Sequence, residues 1–172
     1  AEFGLELNEQ KTKLIEFGRF AMTNRRQRGE GGPETFTFLG FQHVCASNKK
    51  GIFTVQRITD GKRKRKKLQA IKQELRRRMH EPVAKTGAWL RSVLNGYYQY
   101  HAVPGNLRAL KRFGHWVARA WRQVLRRRSD QHKPTWTQLV PIFQQWLPTP
   151  TVVHPYPSVR FDARIQGRSR VL

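Results

Sequence analysis

From residue 68 onward the apolar positions follow a helical period. Leu68, Ile71, Leu75 and Met79 recur at steps of three and four, the spacing of one helix face. Pro82 interrupts that run, because proline lacks the N–H that an interior helical position needs. A second set, Val83, Leu90, Val93, Leu94, Tyr97, Tyr98 and His101, predicts a helix over about 83–102. Pro104 and Gly105 close it, and Asn106 is a good N-cap for the next. That next helix runs about 20 residues on Leu107, Leu110, Phe113, Val117, Trp121, Val124 and Leu125. Thr135 and Gln138 form a capping-box pattern ahead of Trp136, Leu139, Phe143 and Trp146.

Before residue 60 the pattern is different. In residues 52–58, IFTVQRI, Ile52, Thr54 and Gln56 alternate against Phe53, Val55 and Arg57. Residues 35–46, TFTFLGFQHVCA, are aromatic and rich in strand formers, and Asn48 and Gly51 supply a turn between the two runs. Together they predict a β-hairpin. Residues 12–20 read as a strand or irregular segment, and residues 22–34, with three Gly and a Pro, read as a loop. At the other end, WLPTPTVVHPYP holds four prolines in twelve residues and predicts an extended run, followed by a polar, basic tail. The expected fold is α+β, mainly α. A small N-terminal β-hairpin lies within 1–60, a bundle of three or four helices spans 61–147, and an extended Pro-rich tail covers 148–172. Two or three strands are marginal without partners, which points to a missing neighbour on the N-terminal side.

Charge changes the picture. The 172 residues hold 34 Lys plus Arg against 11 Asp plus Glu, a formal net charge of +23. Such charge repels itself unless a polyanion neutralises it. Nucleic acid is the first candidate and anionic lipid the second. From Pro82 to Ser129 there are ten Lys or Arg and no carboxylate. A membrane-surface role is disfavoured because the helices turn Trp and Leu toward a protein core. No apolar run is long enough to span a bilayer and no signal peptide is visible. The single cysteine, Cys45, reads as a buried inert thiol, and the expected location is cytoplasmic.

The chain offers little catalytic chemistry. Asp60, Asp130 and Asp162 each stand alone, so no pair of carboxylates offers a two-metal site. GEGGP at 29–33 lacks the strand and helix flanks of a phosphate loop. The six histidines are scattered, and His101 and His115 read as core or stacking residues. No cofactor or metal is expected of this chain. Binding remains. Its candidates are Lys62, Arg63, Lys64, Arg65, Lys66 and Lys67 before the first helix, and Arg108, Lys111, Arg112, Arg119, Arg122, Arg126, Arg127 and Arg128 along the long one. Arg grips phosphate with a planar fork, and aromatics beside it stack on unpaired bases. Tyr100 and Trp116 fall toward the polar side and join the candidates, whereas Tyr98, Trp121, Trp136 and Trp146 read as core.

Two blocks carry a family resemblance. Gly4 to Thr12, GLELNEQKT, followed by Phe36 to Phe41, FTFLGF, resembles the end of the palm in group II intron-encoded reverse transcriptases. The stretch from WLRSVLNGYYQYHAVPGNL to WRQVLRRRS resembles their thumb, or maturase domain. The C-terminal stretch is similar to bacterial members that lack an endonuclease domain. The resemblance implies nucleic-acid contacts at Lys11 and Thr12 and a primer-grip-like segment at Leu39, Gly40 and Phe41, although Leu39 and Phe41 could equally pack the hairpin. It implies group II intron RNA as partner, and a template–primer duplex in the full-length protein. The catalytic aspartates of that family, with their Mg²⁺, lie upstream of the first block, and this chain opens after that point. A C-terminal fragment, inactive alone as an RNA-directed DNA polymerase, is therefore expected. The alternatives are a polymerase subunit completed in trans and a generic basic nucleic-acid-binding module.

Overall fold

The computed structural model describes residues 8, 10, 12–48, 50–128, 131 and 133–155. In chain order its elements are α1 (Ala21–Gln27), β1 (Phe36–Phe38), β2 (Phe41–Ser47), β3 (Phe53–Thr59), α2 (Gly61–Arg77), α3 (Val83–His101), α4 (Leu107–Arg126) and α5 (Trp136–Trp146). The fold is α+β, with a small antiparallel sheet in the order β1-β2-β3. The chain divides into two compact units, residues 1–56 and 57–172.

In the first unit the sheet holds one more turn than the sequence pattern predicts. Residues 35–46 do not form one strand. Phe36 pairs with His43 and Phe38 with Phe41, so the chain reverses at Leu39 and Gly40. Both have positive φ, 47° and 79°, as a two-residue turn matching strand twist requires. The expected turn between β2 and β3 is present. Asn48 Oδ1 accepts from the Lys50 and Ile52 N–H groups at 2.9 and 3.0 Å. Phe36 stacks on His43 at 4.7 Å and takes the edge of Phe17 at 4.9 Å.

The stretch 22–34 is not wholly a loop, since α1 occupies most of its first half. Its sequence, AMTNRRQ, contains good helix formers that carry no periodic apolar signal because only Ala21 is buried. Gly29, at φ +71°, ends it: the Gly29 N–H reaches Arg26 O and the Glu30 N–H reaches Arg25 O, which satisfies the last carbonyls. Arg25 and Arg28 then pair with Glu30, Glu34 and Glu16. The Arg28 guanidinium holds the Glu16 and Glu30 carboxyls below their usual range, and Lys13 does the same for Glu34.

The second unit is built around α4. It packs against α2, α3 and α5, and α3 also meets α5. Ile71 and Leu75 from α2, Leu90, Leu94 and Tyr98 from α3, Leu110, Phe113, Val117 and Trp121 from α4, and Leu139 and Phe143 from α5 form one core. The apolar spacing predicts these helices well. Helix α2 starts earlier than its apolar stripe, because Asp60 Oδ1 accepts the Arg63 N–H at 2.7 Å and caps the basic run as helix. The capping box at Thr135 and Gln138 is formed.

Asn106 departs from expectation. It occupies the N-cap position of α4, yet its side chain does not cap that helix. Its Oδ1 accepts the Thr59 N–H at 3.0 Å, and its Nδ2 donates to Thr59 Oγ1 at 2.6 Å and to His101 O at 2.9 Å. Thr59, His101 and Asn106 are all buried, so satisfying these groups outweighs a cap that solvent could replace. Residues 148–155 contain no helix. The Val153 and His154 N–H groups bond Ala102 O at 3.1 and 3.3 Å. The rest of the predicted tail lies outside the described residues.

Candidate nucleic-acid interface

Helix α4 carries the strongest charge pattern. Its inner face is Leu110, Phe113, Val117, Ala120, Trp121 and Val124, all buried. Arg108, Arg112, His115, Arg119 and Arg126 follow one another at steps of four, three, four and seven on the opposite side, and all are exposed. The stripe runs about 27 Å along the axis. Every ion pair among the described residues draws on Glu16, Glu30, Glu34, Glu74 or Glu81, and none involves α4. Arg119 lies over the ring of Trp116 at 5.2 Å, and Trp116 is 44% exposed. Lys111, Arg112, His115 and Trp116 surround a shallow depression of about 310 Å³.

Not every predicted cation belongs to this face. Arg128 lies beyond the helix end, half-buried, and donates to the Glu81 backbone carbonyl. Arg122 is also half-buried, 5.9 Å from the Trp136 ring centroid. Both are structural, because their turn positions bring Arg128 to the connection between α2 and α3 and Arg122 to α5 rather than to solvent. Arg127 points to the other flank, where it lines a cleft with Lys72, Arg76 and Gln123 between α2 and α4. Arg76 belongs to the basic run 76–78 of the sequence, but neither it nor Lys72 is among the binding candidates named above. Their signal was present: with Arg65 they sit at steps of seven and four on one side of α2. Within the run 62–67, Lys62, Arg63, Arg65, Lys66 and Lys67 are exposed, but Lys64 is half-buried, in register with Leu68, Ile71 and Leu75.

A second concavity joins α2 to α3. Arg63 and Lys67 line it from α2, and Tyr97, Tyr100 and His101 from α3, enclosing about 480 Å³. Burial, then the nearby Arg63 charge, holds the His101 imidazole down to about 4, so it stays neutral near pH 7. Burial pushes the Tyr97 phenol up to about 12. Sequence periodicity placed His101 and Tyr97 on the core stripe, and the groove shows that the stripe's edge is open.

The remaining candidates lie in the 1–56 unit. Lys11 is outside the described residues. Thr12 is exposed, and its hydroxyl donates to Asn8 O at 2.8 Å. Of the primer-grip-like segment, Phe41 is buried and Leu39 is 64% exposed at the turn, so Leu39 does not pack the hairpin. Cys45 Sγ is half-buried and accepts the Gly18 N–H at 3.4 Å. Among the described residues no three His, Cys, Asp or Glu side chains gather where they could hold a metal ion. No helix among them is long and apolar enough to cross a membrane.

Comparison with protein families, with curated proteins and with solved structures returned no significant match to this chain.

Proposed function

We propose that this chain is the RNA-binding, thumb-like portion of a group II intron reverse transcriptase and maturase. It binds intron RNA along α4 and helps that RNA reach its splicing-competent fold. In a full-length protein the same helical surface would clamp a template–primer duplex during RNA-directed DNA synthesis. The work is binding; the bond chemistry of splicing belongs to the RNA. One observation carries the reading: Arg108, Arg112, Arg119 and Arg126 form an exposed stripe on a rigid helix, unopposed by any carboxylate of the described residues. Cations held along one line match a row of phosphates, and counterion release supplies the affinity. The likeness of Gly4–Thr12 and Phe36–Phe41 to palm blocks directs the choice among RNA-binding proteins.

The test compares binding to a structured group II intron RNA and to an unrelated RNA of equal length at several salt concentrations. A tenfold preference that persists as salt rises supports the maturase reading. Equal affinities that collapse together reduce the chain to a generic basic module. Absence of RNA binding at low salt would overturn both.

A further inference from the structure

We propose that the groove between α2 and α3 is a subsite for one unpaired nucleotide of an RNA strand, an inference that rests on the RNA-binding reading above. It is an open groove of about 480 Å³, within the size range of small-ligand sites. One wall is cationic. Arg63 and Lys67 stand one turn apart on α2, both exposed, and no carboxylate among the described residues forms an ion pair with either. The other wall is aromatic. Tyr97 and Tyr100 are one turn apart on α3, and Tyr100 is 52% exposed, held edge-on against His101 at 4.8 Å. Holding the ring this way fixes a platform without burying it.

Gly96 lines the groove from α3, one turn before Tyr100. A Cβ built there would meet nothing within 4 Å, so a larger side chain at this position can project over the groove without disturbing the core. Phosphate-binding cations facing an aromatic platform are the two components by which single-stranded nucleic acid is held. A base inside a duplex has both faces covered by its neighbours, so only an unpaired one can use Tyr100. Because His101 stays neutral near pH 7, the positive charge of the groove comes, among the described lining residues, from Arg63 and Lys67. The occupant is thus one nucleotide with its phosphate at α2 and its base at α3.

Two variants address the groove without touching the core. Gly96→Leu fills it from an exposed position in mid-helix, where leucine is the better helix former. Tyr100→Ala removes the platform. Each is measured by anisotropy on a labelled single-stranded RNA pentamer and on a blunt RNA duplex, with circular dichroism as the check of folding. Each variant is expected to weaken the pentamer about tenfold and the duplex less than twofold. If pentamer and duplex change together, or neither changes while the wild type binds both, the subsite is wrong and the RNA-binding reading stands. If the wild type binds neither RNA, both fall. Competition by a nucleoside 5′-monophosphate as effective as the pentamer per nucleotide would also overturn the proposal, since the groove would then serve free nucleotides.

Discussion

Gly87 on α3 lies directly beneath the indole of Trp146 on α5: a Cβ at position 87 would stand 2.5 Å from the ring. Arg91, one turn further along α3, covers the same ring at 5.1 Å and donates to the Gln145 carbonyl. The two helices meet through a flat ring that needs a bare backbone on one side. At Gly114 of α4 the close neighbour is a hydroxyl instead of a ring: a Cβ there would stand 2.5 Å from the Tyr98 hydroxyl oxygen. Gly87→Ala is therefore expected to cost about 1–3 kcal/mol, because the clash is with the root of the indole and not with the flexible end of a side chain. Gly96→Ala, on the same helix with open space around it, is expected to stabilise by about 1 kcal/mol. Urea unfolding of the two variants reads both signs, and a neutral Gly87→Ala would mean that α3 and α5 are less tightly joined.

Asn106 joins three segments through one amide. Asn106→Ala leaves the Thr59 N–H and the His101 carbonyl without that partner, both inside the unit. The His101 carbonyl keeps the Val103 N–H at 2.8 Å, so a loss of about 1–3 kcal/mol follows from stranding the buried Thr59 N–H. The Thr59 amide should also exchange with solvent much faster. Unchanged exchange there would show that another acceptor takes over.

Acid should act on His101 before it acts on the carboxylates. Its folded pKa is about 4, below the ordinary value of about 6.5. Above pH 6.5 neither folded nor unfolded chain binds the proton. Between about 6.5 and 4 the unfolded chain binds it and the folded chain does not. Stability therefore falls as pH drops through that window, by roughly 3 kcal/mol in all, and the contribution then levels off. His101→Phe should remove that slope. The lowered carboxyls of Glu16, Glu30 and Glu74, each held by an arginine, lose their contribution only at lower pH, in the carboxylate range. A His101→Phe variant with an unchanged profile from pH 7 to 4 would refute the assignment.

Neutralising Arg108, Arg119 and Arg126 to Gln should weaken RNA binding and flatten the log–log salt slope by about two to three units. Arg122→Gln should behave differently. It faces Trp136 from a half-buried position, so it should lower the melting temperature and leave the slope nearly intact. A slope that ignores the triple substitution would mean that the α4 stripe is only a solvated surface.

The helical half of the fold was legible because its apolar residues recur at three and four. Leu110, Phe113, Val117 and Trp121 announce a buried face whatever they pack against, and the arginines between them announce an exposed one. Local chemistry was equally readable at Thr135 and Gln138, whose cap closes within four residues. Helix α1 was missed because burying one alanine leaves no periodic trace. The fate of single side chains was a different matter. Sequence put Arg119, Arg122 and Arg128 in one class, and only the packing of α4 among α2, α3 and α5 separated the exposed one from the two turned inward. Asn106 looked like a cap because capping is local, while its actual partner, Thr59, lies 47 residues away. Periodicity assigns residues to the faces of an element; which neighbour then covers each face is set by contacts distant in sequence. The groove of Arg63, Lys67 and Tyr100 exists only because two separate helices present those faces side by side.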